Sequence, residues 1–143
     1  MAATVNPDKH IRKKIYDLVN NQVVAGVTLK VFDSRTTNAN GLQEYILLTS
    51  QTKEVSKANK CEYRWETSLL IEIYTRSSSV GNPGSRVLLN DIEDGVYSVL
   101  QPQINIPNYI TLIQNVTFEA QLETPTSTEN IFRSFIRLNL TLI

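Results

Sequence analysis

The sequence predicts an α+β fold: a two-layer sandwich with two helices on one face of a mainly antiparallel sheet, in the order α-β-β-β-α-β-β, as a single domain over residues 1 to 143. Three observations predict it. Two segments have apolar residues at helical spacing, and each is preceded by an Asn-Pro pair, Asn6-Pro7 and Asn82-Pro83. Five other segments alternate with the period of a strand. The apolar content of 41% over 143 residues is enough to bury one core without metals or disulfides.

The first helix starts in "NPDKHIRKKIYDLVNNQ". Asn6 is a candidate N-cap, Pro7 suits the first helical position, and Asp8 places negative charge at the positive end of the helix dipole. Ile11, Ile15, Leu18 and Val19 form its apolar stripe, while Lys9, Arg12, Lys13 and Lys14 lie largely off it and face water or a partner. Gly26 closes the segment. "VTLKVFDS" then alternates Val27, Leu29 and Val31 against Thr28, Lys30 and Phe32, which predicts one continuous strand, and "RTTNANG" reads as a loop.

"LQEYILLTSQT" predicts a second strand, apolar on both faces, and "KEVSKANK" a polar, lysine-rich connection to the third strand, "CEYRWETSLLIEIYTR". The two strands suit a long antiparallel hairpin. On the third, Tyr63, Trp65, Leu69, Ile71 and Ile73 share the core face, and Arg64, Glu66, Glu72 and Arg76 share the face left to solvent or an interface. After "SSSVGNP", Leu88, Ile92, Val96, Val99 and Leu100 form the stripe of the second helix, which Pro102 ends. Gly95 within it costs about 1 kcal/mol against alanine, a sign of close approach to the sheet. "NYITLIQNVTFEAQLE" places Ile110, Leu112, Val116, Phe118, Ala120 and Leu122 on one face, expected to be buried. "IFRSFIRLNLTLI" does the same for Phe132, Ser134, Ile136, Leu138, Leu140 and Leu142, with Arg133 and Arg137 opposite, so the last two strands pair antiparallel.

Charge and motifs narrow the function. Lys plus Arg and Asp plus Glu are both 14, so no global field draws nucleic acid or a cationic partner. The halves differ: residues 1 to 64 hold ten basic and six acidic side chains, and residues 65 to 143 hold four and eight. Such an asymmetry either lets copies attract head to tail or reflects unequal solvated faces. Cys61 stands alone, which points to a reducing cytoplasm, and the start "MAATVNPDKH" resembles no secretory leader; no apolar run reaches membrane-spanning length.

No set of residues converges on chemistry. His10 is the only histidine, sits among lysines with no cysteine or carboxylate at ligand spacing, and reads as a surface residue. There is no G-x-S-x-G elbow, and Asp91, Glu93 and Asp94 crowd one helical stretch as a solvated face does. "VGNPGS" lacks the Gly-Lys-Ser/Thr ending of a phosphate loop and reads as turn and cap. The lysines of "KEVSKANK" come without interleaved aromatics, as on a solvated hairpin tip. The expectation is a protein that is not an enzyme and takes no cofactor or metal.

The succession "IRKKIYDLVNN", "VTLKVFDS", "EYILLTSQT", "ETSLLIEIYTRSSS", "LLNDIEDGVYSVL" and "IFRSFIRLNLTLI" resembles the tail terminator (tail completion, neck) family of long-tailed bacteriophages across most of the chain. "VFDS" ahead of a strand ending "LLTSQT", "IEIYTRS" leading into a helix ending "YSVL", and "RSFIRLNL" in the closing strand carry most of it. The chain departs from the family at "GLQEY", where members often have a proline. The resemblance implies a structural virion protein in the tail or neck, made in the host cytoplasm and away from membranes. It would form a homo-oligomeric ring, typically a hexamer, at the head-proximal end of the tail. Its partners would be other copies of itself, the tail tube protein, head-tail connector proteins, and DNA passing through the lumen unread. On that reading Arg64, Glu66, Glu72 and Arg76 are candidate subunit contacts, and Lys53, Lys57 and Lys60 of the 51 to 61 connection are candidate lumen or loop contacts. Another neck or connector component, and a small non-enzymatic partner-binding domain, stay open beside it.

Overall fold

A computed structural model describes residues 7–24, 26–33, 44–57, 63–78, 86–125 and 129–143. Nine elements follow in order: α1 (Asp8–Val19), β1 (Val23–Val24), β2 (Val27–Thr28), β3 (Val31–Phe32), β4 (Glu44–Lys57), β5 (Tyr63–Ser78), α2 (Arg86–Leu100), β6 (Thr111–Pro125) and β7 (Glu129–Leu142). The main sheet has the order β3-β4-β5-β7-β6, antiparallel throughout except for the parallel β3/β4 pair. Both helices pack on one face, α2 over β5 and β7 and α1 against β4 and α2, so the predicted α+β two-layer class holds.

The apolar stripes explain the layering. Ile11, Ile15 and Val19 of α1 and Leu89, Ile92, Val96 and Leu100 of α2 are buried against Ile46 and Leu48 of β4, Leu69, Ile71 and Ile73 of β5, and Phe132, Ile136, Leu138, Leu140 and Leu142 of β7. The long segment 101–110 adds Ile104, Ile106 and Tyr109 to the same core. Gln114 holds that segment in place: its side-chain amide donates to the carbonyls of Leu100 (2.6 Å) and Pro102 (3.0 Å) and accepts from the Ile104 N–H (2.8 Å), supplying a partner for a free helix C-terminal carbonyl.

Several local expectations change. Residues 27–32 do not form one strand: β2 folds back on β1 through a two-residue connection, with Gly26 at φ 78°, and only Val31 and Phe32 reach the main sheet, beside Ile46 and Leu47. Gly26 therefore closes a hairpin and not the helix, which ends at Val19 with Asn20 as its C-cap, followed by Asn21 at φ 67°. The polar stretch 53–57 continues β4, because antiparallel pairing with β5 sustains a strand whose own composition reads as a loop. The close approach at Gly95 is to Val24 of the β1 hairpin, not to the main sheet. Asn6, Asn82 and Pro83, the predicted helix starts, and Cys61 lie outside the described residues, and Pro7 occupies the N-cap position of α1.

The largest correction concerns β6. Its apolar face was expected to be buried, yet Ile110, Leu112, Phe118 and Leu122 are 46 to 63% exposed; Val116 packs on the core and Phe118 meets Tyr97 of α2 edge-on. A helix is about 10 Å wide and strands are about 4.8 Å apart, so two helices cover about four strands. β6 is the fifth. Register shifts between Thr111 and Ile113 and between Glu119 and Leu122 also move residues off the face that simple alternation assigns.

Candidate interaction surfaces

The four outward residues of β5 do not form one surface. Arg64 and Glu66 lie near one end, 3.7 Å apart, with Glu66 exposed. Arg76 is half-buried near the other end. Between them Glu72, expected on a face left to solvent or an interface and offered as a subunit contact, is only 1% exposed and is held within the chain's own packing.

Glu72 is buried because its neighbours across the sheet are large and one is cationic. Register places Leu47 and Phe135 beside it, with Tyr74 two residues on between Tyr45 and Arg133. The Tyr74 hydroxyl donates to Glu72 Oε1 at 3.1 Å and Arg133 Nη2 donates to the same oxygen at 2.8 Å. The Arg133 guanidinium also lies over the rings of Tyr74 and Phe135, 5.1 and 5.0 Å from their centroids. Tyr45 stacks on Tyr74 at 4.9 Å and meets Phe32 edge-on. Burial alone lowers the Arg133 pKa, but the hydrogen bond to Glu72, the charge of Glu72 and the neighbouring Tyr74 outweigh it and hold the guanidinium above its ordinary value. The result is a second, smaller core of Tyr45, Leu47 and Tyr74, flanked by Phe32 and Ile131, on the face that the helices leave open.

Of the lysines, Lys53 lies in β4 and not in a connecting loop, and it pairs with Asp8 of α1 at 2.7 Å. Lys57 is the last residue of β4, and Lys60 lies outside the described residues. Of the basic row of α1, Arg12 is likewise tied into the fold. Arg12 Nε donates to Asp33 Oδ1 (2.7 Å), Nη2 to the carbonyls of Asp33 and Leu48 (both 2.6 Å), and Nη1 to the Thr49 carbonyl (3.2 Å) and Gln51 Oε1 (3.1 Å). Lys13 pairs with Asp17 at 3.2 Å. An open groove of about 410 Å³ runs here, lined by Lys9, Arg12, Lys13, Tyr16, Asp17 and Asp33, with two of its cations engaged by its two acids.

The carboxylates of α2 do not act together. Asp91 and Asp94 are exposed, whereas Glu93 turns to the sheet, where it accepts from the hydroxyl of fully buried Ser134 and lies 3.4 Å from the Gln121 amide nitrogen. This explains a polar Ser134 on an otherwise apolar strand face. His10 is half-buried, its ring 6.4 Å from that of Tyr109. Among the described residues, no three His, Cys, Asp or Glu side chains gather to hold a metal, and no helix is long and apolar enough to cross a membrane.

The free edges of the sheet were not legible as such in the sequence. At one edge, β6 pairs with β7 and with no other described strand. At the other, β3 meets β4 only at Ile46 and Leu47.

Neither a protein-family profile nor a curated protein matches the chain. Among solved structures it is similar to a chain from the structure described as "Virion of native gene transfer agent (GTA) particle", with a TM-score of 0.61 and 10% sequence identity. The likeness spans 96% of this chain and 99% of that one, and at this identity it is a likeness of fold, held nearly from end to end.

Proposed function

We propose that this chain is a structural, non-enzymatic protein of a phage-like virion, and within it a tail terminator: copies form a ring, typically a hexamer, at the head-proximal end of the tail. The ring ends tail-tube growth and presents a surface to the head-tail connector, while DNA passes through its lumen unread. The observation that carries the reading is the fold likeness, over 96% of this chain and 99% of the other, to a chain of a gene transfer agent virion. The finer position rests on the sequence resemblance to tail terminators. A heterologous interface that closes into a ring needs two different complementary surfaces on one chain, and the two dissimilar free edges of the sheet suit that need.

The test is gold labelling of this chain on intact particles from its source, read by electron microscopy. Label confined to the head-tail junction is expected. Label along the tail or over the head would reassign the position within the virion. Intact particles without label, where the epitope is known to be accessible, would refute the virion reading.

A further inference from the structure

We propose that copies of this chain join edge to edge, the β6 edge of one docking on the β4 edge of the next so that the sheet continues between them. This deepens the ring reading above and rests on it for the identity of the partner, a second copy.

Four observations carry it. First, apolar side chains are exposed along the edge strand β6 and just before it: Leu112, Ile113 and Leu122 of β6 and Ile110 ahead of it stand at the surface, and Phe118 of β6 is half exposed beside Tyr97 of α2. Soluble proteins usually blunt such an edge with lysine or proline, or cover it. Between Thr111 and Thr124, β6 has neither, and its one proline, Pro125, is its last residue.

Second, among the described residues the opposite edge is open beyond the short β3. Beyond Leu47, Arg12 takes up the carbonyls of Leu48 and Thr49, and from Gln51 to Lys57 the described partner strand of β4 is β5 alone. That stretch also exposes Val55. Among the described residues no strand pairs with these seven on their other side.

Third, the topology sends the charge asymmetry of the sequence to these two edges. The β4 side, comprising α1, Lys30, Asp33 and β4, carries seven basic and five acidic residues. The β6 side, comprising α2, β6 and β7, carries three basic and six acidic. The central strand β5 is balanced, with Arg64 and Arg76 against Glu66 and Glu72. The sheet is thus polarised from a net +2 edge to a net −3 edge, as complementary partners are.

Fourth, the same charges disfavour the alternative of two β6 edges meeting about a twofold axis. β6 holds Glu119 and Glu123 and no Lys or Arg, so that pairing would bring acidic edges together. A head-to-tail contact repeats and closes into a ring when the rotation per copy allows it.

The test uses the full chain with Cys61→Ser, both in solution over a concentration series and incorporated into particles. Two single-cysteine variants, Val55→Cys and Leu122→Cys, sit at exposed positions on the two edges, and a short bismaleimide is added to each alone and to their mixture. Cross-linked dimer in the mixture, and little in either variant alone, is the expected result. Association is also expected to weaken with added salt, and to fall at least tenfold in the Ile113→Lys/Leu122→Lys double variant, with unchanged far-UV circular dichroism showing that the variant still folds. Self-association with cross-links within Leu122→Cys alone, or unaffected by the lysines, would overturn the edge docking while leaving a ring in place. A chain that stays monomeric at every concentration and on particles would overturn both.

Discussion

Gly95→Ala tests whether the β1 hairpin is seated on α2. A Cβ at Gly95 would lie 2.5 and 2.6 Å from the two Cγ atoms of Val24 and 3.1 Å from its Cβ. Carbon atoms pack at about 3.5 to 4.0 Å, so the overlap is about 1 Å on two methyl groups. Valine is stiff at χ1, and rotation would exchange one methyl for the other, so the two-stranded hairpin itself has to shift. Overpacking of this kind costs about 1 to 3 kcal/mol, against a gain of about 1 kcal/mol in helix propensity. The net expectation is a loss of about 1 kcal/mol, read as a lower urea midpoint at unchanged slope. In a Val24→Ala background both methyls are gone, and the same Gly95→Ala change should be neutral to stabilising by up to about 1 kcal/mol. The double-mutant cycle should therefore show coupling of about 1 to 2 kcal/mol. An equal stabilisation of about 1 kcal/mol in both backgrounds would refute the packing argument and show helix propensity acting alone.

Three further outcomes follow from the same geometry. Arg12→Ala should cost about 2 to 3 kcal/mol in urea unfolding, because it leaves the Leu48 and Thr49 carbonyls without the guanidinium, and Arg12→Lys should restore little, since one ammonium does not reach five acceptors. Arg133→Met should cost about 3 kcal/mol by stripping buried Glu72 of its cation, while the Glu72→Met/Arg133→Met pair should recover most of that loss; a double variant as unstable as the single would mean that packing, not charge, holds this face. Burial raises the Tyr109 pKa above 10.0, so the folded state keeps the phenol proton longer than the unfolded chain does. Its contribution is whole below about pH 10 and is lost as pH rises toward the folded value, so stability above that point should fall more steeply in the wild type than in Tyr109→Phe.

Legibility divided along the range of the interactions involved. Both helices, their stripes and the two long antiparallel pairings could be read from the residues, because helical spacing and strand alternation are local and survive in any tertiary setting. Ser134 was placed correctly on the core face of β7, but nothing in the sequence paired it with Glu93, 41 residues away. Glu72 was placed on the correct face of β5 and given the wrong environment. Alternation tells which side of a sheet a residue faces, whereas its burial depends on Tyr45, Leu47, Tyr74, Arg133 and Phe135, brought beside it from neighbouring positions and two other strands.

The same division decides the interaction surfaces. By itself the sequence determined the α+β class, the faces of the elements and the unequal charge of its two halves, since these are properties of neighbours in the chain. Only the tertiary structure decided which elements lie at the rim: the order β3-β4-β5-β7-β6 puts the N-terminal half at one edge and the C-terminal half at the other. It also decided that two helices over a five-stranded sheet cover β6 only in part, so much of an apolar stripe that periodicity assigns to the core stands at the surface. Strand order and coverage follow from long-range pairing and from the widths of helices and strands, neither of which is written in local residue spacing.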